Sequence, residues 1–156
     1  MSVGYRRQAA PAPADQIERL ERRIGRPLPD SYRDYLRQHD GGQLQDNSEA
    51  VNEIFGVGPE APEWASMWQK LDVYDDRVPT WLLPVASDAA GNLFAVSLRD
   101  SDRGSVWFWD HEWEADEDEP PTEENIERRA KDWPTFLDAL RPPDLSGYDD
   151  EDVEIE

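Results

Sequence analysis

The residues of this chain that could carry chemistry are mostly carboxylates, with two histidines and no cysteine beside them. His111-Glu112 begins like the zinc-binding helix of a metalloprotease, but Ala115 occupies the position that needs the second histidine. Residues 100–104 (Asp-Ser-Asp-Arg-Gly) begin like a calcium loop. Their glycine comes one position early, and His111 stands where the bidentate glutamate is required. The sequence therefore predicts a hairpin turn at 100–104 and no metal site.

Other catalytic patterns are missing from the sequence. There is no glycine-flanked nucleophilic serine, no P-loop lysine and no complete dinucleotide fingerprint. Asp88 with Gly91-Asn92 could chelate a cation, but Asp, Gly and Asn in this order are also typical of a turn, which we favour. Acid–base work would fall to carboxylates, and 36 of them leave no pair singled out. We expect no catalytic residue and no cofactor, and hence a protein that is not an enzyme.

Charge is distributed unevenly along the 156 residues, which carry a net charge of -20. Residues 1–40 have eight Arg against six acids, a net charge of +2, and residues 41–156 have a net charge of -22. Direct binding to nucleic-acid phosphates is not expected of so acidic a chain. A protein partner with a basic surface is compatible with this charge, which would mainly speed association. The alternative is that acidity only keeps the chain soluble.

The cellular setting follows from what the sequence does not contain. Without cysteine there are no disulfides and no thiolate metal sites. The first residues lack the apolar segment of a secretory signal, and no apolar run is long enough to span a membrane. We therefore expect a cytoplasmic protein with no membrane contact, and we make no prediction of its oligomeric state.

The elements that would position a site begin with two short helices. Asp15 and Glu18 fit a capping box at the start of the first helix, and Gly25 fits its end. Pro29 suits the first turn of the second helix, and Gly41-Gly42 would end it. The apolar positions of the two helices fall at helical spacing. They are Ile17, Leu20 and Ile24, followed by Tyr32, Tyr35, Leu36 and His39.

Strand patterns dominate the middle of the chain. We predict a strand at 51–57 and a short helix carrying Trp64, Trp68 and Leu71 on one face. Further strands are predicted at 81–86, 93–98 and 105–110, with a final helix at 132–140 that buries Phe136, Leu137 and Leu140. The strands are apolar on both faces, which indicates a central sheet covered by helices. The predicted organisation is a flexible arm at 1–14, one domain at 15–141 and an acidic tail at 142–156.

Three tryptophans lie in or just after the last predicted strand, and an acidic segment connects this strand to the final helix. Trp107 and Trp109 share one face of a strand, which favours a place in the core. Residues 112–127 carry nine acids and predict an acidic loop. A tryptophan beside carboxylates is a reasonable anchor for a protein partner, because tryptophan is enriched in interface hot spots. The candidate partner-binding residues are Trp113, Glu114, Asp116, Glu117, Asp118 and Glu119.

The order of several motifs resembles the SUKH superfamily, which includes yeast cell-wall assembly regulators and many bacterial immunity proteins. The resemblance spans roughly residues 15–140, with weak coverage between 44 and 80. The matching residues are Ile17, Leu20, Glu21, Ile24, Gly25, Leu28-Pro29, Tyr32, Tyr35-Leu36, Gly41-Gly42, Leu83-Pro84-Val85-Ala86, Asp88, Gly91, Asn92, Phe136-Leu137 and Leu140.

The resemblance implies an α+β domain with short helices around a central, mainly antiparallel sheet. It also implies an immunity protein that binds and neutralises a cognate toxin, such as a nuclease or other toxic enzyme of a polymorphic or contact-dependent system. The alternative within the family is a regulatory scaffold that binds several protein partners. The shared residues are structural, so the resemblance transfers no binding residue. The acidic loop and tail lie outside the shared pattern.

Overall fold

The structure, a computed structural model, describes residues 3–143. Its framework is a seven-stranded antiparallel sheet whose spatial order follows the order of the chain. The strands are β1 (Tyr5–Gln8), β2 (Gly42–Leu44), β3 (Glu53–Ile54), β4 (Leu82–Ser87), β5 (Leu93–Ser97), β6 (Val106–Trp109) and β7 (Ile126–Ala130). The predicted α+β fold around a central, mainly antiparallel sheet is confirmed.

Four α-helices and two short 3-10 helices accompany the sheet. The α-helices are α1 (Ala14–Ile24), α2 (Asp30–Leu36), α3 (Met67–Val73) and α4 (Trp133–Ala139), and the 3-10 helices span Glu63–Ala65 and His111–Trp113. α1 ends at Gly25 as predicted, with the glycine at φ 80° and its N–H donated to the Glu21 carbonyl. The Asp132 carboxylate caps α4 by accepting the Thr135 N–H at 2.9 Å.

Helices cover both faces of the central strands, which is why β4 and β5 are buried almost throughout. On one face, the Phe94 ring of β5 lies 5.4 Å from Phe136 of α4, and Trp133 stacks on Phe136 at 5.5 Å. On the other face, Trp109 meets the edge of Tyr74, which follows α3, at 5.6 Å. The predicted helix-covered sheet is therefore confirmed, and so is the inward packing of Phe136 in the final helix.

The prediction of a flexible arm at 1–14 is wrong for residues 5–8, which form β1 and pair with β2. These residues include two arginines and no β-branched side chain, so local propensity gives no strand signal. Tertiary contacts fix the strand instead. The Tyr5 hydroxyl bonds the Tyr35 hydroxyl at 2.8 Å, and Arg7 donates to Glu53 at 3.0 Å.

Several predicted element boundaries also change. The capping box at Asp15 and Glu18 is wrong, because α1 begins at Ala14 after Pro13 and has no side-chain cap. The predicted helix at Trp64 is interrupted at Ser66, which leaves Trp64 64% exposed. Within 51–57, only Glu53–Ile54 joins the ladder. Strands β2 and β7 had no sequence prediction.

The prediction that Gly41-Gly42 ends the second helix is wrong, because α2 already ends at Leu36. Gly41 lies in the connection to β2, and Gly42 is the first residue of that strand. Gly41 has φ 77°, and a Cβ atom at this position would overlap the Ile54 carbonyl oxygen and lie 2.8 Å from the Phe55 carbonyl carbon. The preceding Asp40 is buried, and its carboxylate accepts the N–H groups of Val57 and Gly58 at 2.6 and 2.7 Å. The segment thus docks against β3 and the residues that follow it.

The close approach at Gly41 predicts that alanine lowers the free energy of unfolding more at Gly41 than at Gly25, although the two glycines have similar φ angles. Gly25→Ala, at φ 80° with no atom within 4 Å, should lose about 1–2 kcal/mol of unfolding free energy for the left-handed conformation alone. Gly41→Ala should lose about 1–3 kcal/mol more, because the backbone of β3 must also move. Urea unfolding of the two variants measures the difference. Equal losses would show that the contact with β3 is not tight.

Candidate protein-binding surface

The predicted acidic loop begins where β6 ends and returns to the sheet at β7. The Asp110 N–H donates to the Asn125 carbonyl at 3.0 Å, and the Asn125 side-chain amide donates to the Asp110 carbonyl at 2.9 Å. The Asp110 carboxylate also accepts the Glu112 N–H at 3.0 Å, which caps the 3-10 helix His111–Trp113. The two ends of the loop are therefore tied together at the edge of the sheet.

A second turn holds the start of the loop from the side. The Asp88 carboxylate accepts the backbone N–H groups of Ala90 and Asn92, both at 2.9 Å, and Gly91 has φ 95°. The prediction that Asp88 starts a turn is confirmed. The Asn92 side-chain oxygen then accepts the His111 N–H at 3.0 Å, so the turn positions the 3-10 helix.

The three tryptophans of this region divide between core and surface. Trp109 is fully buried, and Trp107 is half-buried with its ring edge-on to Trp81 at 5.3 Å. Trp113 is 73% exposed at the end of the 3-10 helix. An indole this exposed contributes little to the fold and is available to a partner, as a contact role requires.

Glu114 differs from the other candidate acids because it is bound within the chain. Arg77, which follows α3, donates to both of its carboxylate oxygens, at 2.9 and 3.1 Å. The Arg77 guanidinium also lies 4.6 Å from the centre of the Tyr74 ring. The hydrogen bonds to Glu114 raise the pKa of Arg77 above its usual value despite partial burial. Glu114 therefore anchors the loop to the body of the domain.

The remaining candidate acids are exposed. Asp116, Glu117, Asp118 and Glu119 have no basic side chain within salt-bridge distance among residues 3–143. One turn bond, from the Glu119 N–H to the Asp116 carbonyl at 2.9 Å, shapes the segment. Their charges therefore act outward on solvent and on any approaching molecule.

Asp76 and Arg77 join this surface, although sequence patterns did not identify either residue. They line one wall of a cleft of about 480 Å³, and the acidic loop forms the other wall. Arg77 and Glu114 are 37 positions apart, so no local motif connects them. A lone arginine after a helix carries no sequence signal of such a role.

Asp102, one of the carboxylates considered for calcium binding, forms hydrogen bonds within the chain instead. Asp102 accepts bonds from the Arg99 side chain at 2.5 and 3.1 Å and from the Ser97 hydroxyl at 2.6 Å. The bond from Arg99 is the main cause of the lowered pKa of Asp102. The predicted turn at 100–104 is confirmed, since it joins β5 to β6. Over the described part of the chain, no three His, Asp or Glu residues cluster as a metal site would require.

Similarity to known proteins agrees with this architecture. The model of the SMI1 / KNR4 family (SUKH-1) matches residues 11–139, which cover all four α-helices and six of the seven strands. The chain belongs to this family. The SUKH family includes toxin-immunity proteins, and its members are known as immunity proteins rather than as enzymes.

A curated relative has the same family origin. It is the SPbeta prophage-derived uncharacterized protein YokK of Bacillus subtilis (strain 168), which is 28% identical to this chain over 124 residues. The match covers 63% of this chain and 62% of YokK, so the chain spans about three fifths of the length of this relative. No helix in residues 3–143 is long and apolar enough to cross a membrane.

The contact between Arg77 and Glu114 predicts how the loop responds to substitution. Arg77→Met should speed amide hydrogen exchange at residues 112–114 by about tenfold, because a bidentate charged hydrogen bond of ~1.4 kcal/mol is lost. Arg23→Met is the matched control, since it removes an ion pair to Asp72 whose two side chains are 42% and 75% exposed. Nuclear magnetic resonance exchange rates report both variants. Unchanged rates in Arg77→Met would mean that the other loop contacts suffice.

Proposed function

We propose that this chain is an immunity protein that binds a cognate toxin and neutralises it by occluding its active or substrate-binding surface. Family membership supports the general role, because SUKH proteins are associated with toxin partners. The observation that carries the proposal is an exposed tryptophan, Trp113, next to a segment of four uncompensated carboxylates at 116–119. Interfaces commonly combine an aromatic anchor with a charged surround.

The proposed partner is a toxic enzyme with a basic surface, such as a nuclease. A toxin that binds nucleic acid presents cationic side chains to the phosphates. The acidic loop can occupy that site as a competitor, and its charge would raise the association rate. On this proposal the chain acts in the cytoplasm by binding alone, without catalysis, cofactor or direct nucleic-acid contact.

Within this proposal the six candidate residues have two different roles. Trp113 and the acids at 116–119 face outward and form the contact. Glu114 is held by Arg77, so it orients the contact rather than making it. Asp76 lies on the opposite wall of the cleft and adds a further carboxylate to the same surface.

The first experiment neutralises the acids of the loop. The variant Asp116→Asn/Glu117→Gln/Asp118→Asn/Glu119→Gln should slow association with the cognate toxin, sought first as the product of the gene immediately upstream, by about tenfold or more at low salt. The reason is the loss of electrostatic steering. It should also flatten the salt dependence of the rate. Stopped-flow or surface-based kinetics at two salt concentrations measure both effects.

The matched control removes the same four charges from another surface. Asp15→Asn/Glu18→Gln/Glu60→Gln/Glu63→Gln changes four exposed acids that lie outside the loop. It should slow association much less than the loop variant. Equal effects of the two variants would attribute the steering to net charge and remove the acidic loop from the interface.

A second experiment tests the aromatic anchor. Trp113→Ala should weaken toxin binding by about 30-fold, mainly through faster dissociation, since a hot-spot tryptophan contributes about 2 kcal/mol or more. Trp64→Ala is the control, because Trp64 is similarly exposed, at 64%, on the other 3-10 helix. Calorimetric titration measures both variants. A loss confined to Trp64→Ala would move the interface to the segment 59–66.

A further inference from the structure

Two arginines with no carboxylate partner converge on one backbone oxygen. Arg26, which follows α1, and Arg103, in the turn between β5 and β6, both donate to the Leu98 carbonyl, the second at 3.2 Å. Arg103 also donates to the Pro27 carbonyl. Among residues 3–143, no Asp or Glu lies within salt-bridge distance of Arg26 or Arg103. This arginine pair, Arg26 with Arg103, therefore has no local counter-charge there, in a chain of 36 acidic and 16 basic residues.

The packing of two loops holds the arginine pair in place. Gly104 has φ 88°, and a Cβ atom at this position would lie 3.3 Å from the Cβ atom of Pro29. The segment that follows α1 is therefore in close contact with the turn before β6. Two hydrogen bonds to one oxygen also keep their donor nitrogens within about 6 Å of each other. Like charges at this separation repel each other, and an anion bound between them would relieve the repulsion.

A cleft of about 480 Å³ opens at the arginine pair, with Arg26 and Leu98 in its lining. The half-buried Trp81 forms part of the wall and offers an aromatic surface. Arg99 also lines the cleft and stacks 3.4 Å from the centre of the Trp81 ring, but the Asp102 carboxylate balances its charge at 2.5 Å. The cleft therefore provides apolar and aromatic contacts, while the arginine pair provides the uncompensated positive charge.

We propose that the arginine pair binds the phosphate group of a small phosphomonoester whose apolar or aromatic body lies in this cleft. Most N–H donors of the two guanidinium groups remain for such a ligand, because within the described chain Arg26 uses one and Arg103 uses two. Guanidinium groups match the oxygens of a phosphate in geometry and bind them through pairs of parallel hydrogen bonds. This site is independent of the proposed toxin partner.

The charge of the pair selects the ligand class. A phosphomonoester carries a charge of about -1.5 to -2, which two guanidinium groups balance. A carboxylate carries a single negative charge, and one arginine can hold it through two hydrogen bonds. A nucleic acid is a poor candidate, because a chain with a net charge of -20 repels its many phosphates.

One carboxylate in the cleft opposes the ligand and provides a test of opposite sign. Asp100 is exposed and lines the same cleft as Arg26. Its negative charge should repel a phosphate held by the arginine pair. The variant Asp100→Asn should therefore bind phenyl phosphate about two- to threefold more tightly than the unchanged chain. Weaker or unchanged binding in this variant would place the phosphate outside the cleft.

The main experiment titrates the full chain with phenyl phosphate and follows it by nuclear magnetic resonance. The backbone amides of residues 98–104 and the Trp81 indole N–H should shift saturably. The variant Arg26→Gln/Arg103→Gln should weaken binding by about tenfold or more, because two charged hydrogen-bonding groups are lost. The single variant Arg26→Gln, at an exposed side chain, should weaken it by about threefold or more and does not require the loop contacts of Arg103 to be removed.

The matched control removes two arginine charges elsewhere. Arg22 and Arg128 are exposed, and neither has a carboxylate within salt-bridge distance in the described chain. Arg22→Gln/Arg128→Gln should keep the affinity for phenyl phosphate within about twofold, because these charges lie outside the site. Inorganic phosphate and benzoate serve as comparison ligands. Both should bind about tenfold more weakly, since inorganic phosphate has no body for the cleft and benzoate has only one charge.

Several results would overturn the proposal. Shifts that do not saturate, or an affinity that Arg26→Gln leaves unchanged, would show that the arginine pair holds no phosphate. An equal loss in Arg22→Gln/Arg128→Gln would attribute the binding to net charge. Benzoate that binds as tightly as phenyl phosphate would exclude the preference for phosphate, and inorganic phosphate that binds as tightly would exclude the cleft.

Discussion

The close contact between the chain at Gly41 and the β3 backbone is the constraint on which the continuity of the fold depends. β2 and β3 share only two register pairs, Gly42 with Ile54 and Gln43 with Glu53. The outer strands β1 and β2 are therefore attached to the central sheet through this short contact, which we call the β2–β3 seam. The Asp40 carboxylate strengthens this seam from the side, because it receives two backbone N–H groups that follow β3. A buried carboxylate with two short bonds of this kind is stabilising only while both donors stay in place. The seam therefore couples the α1–α2 layer to the sheet.

The proposed binding surface lies next to the part of the sheet whose strands pair over the longest registers. β4, β5 and β6 share long registers. The side chains of β4 and β5 are buried on both faces almost throughout, and those of β6 are buried or half-buried. The acidic loop leaves from the end of this unit, and its base is closed by the Asp110 and Asn125 bonds. Arg77 then joins the loop to the segment after α3 through Glu114. A loop fixed at its base and side loses less conformational entropy when a partner binds.

The sequence predicted the parts of this structure that depend on local periodicity and turn chemistry. The Asp88 turn, the end of α1 at Gly25 and the final helix α4 all follow from residue types at fixed spacing. It did not predict the parts that depend on distant pairing. β1 forms because Tyr5 and Arg7 find Tyr35 and Glu53, which no local pattern reveals. Trp64 was assigned to a helical stripe because its spacing from Trp68 fits a helix, yet the break at Ser66 turns it outward.

The same distinction explains why the sequence indicates a set of candidate acids but does not distinguish among them. The composition identifies an acidic segment but does not distinguish among its carboxylates. The structure does, because the distant Arg77 binds Glu114. Arg77 separates Glu114, which orients the loop, from the acids at 116–119, which remain available. Beyond its anchored base the loop contributes little to the packing of the core. Lengthening or changing a closed surface loop costs little stability. Contact residues placed there can change with the partner while the sheet and its seam stay the same. Such an arrangement suits the proposed recognition of a toxin, and Trp113, which is 73% exposed, can serve that proposed contact at little cost to folding.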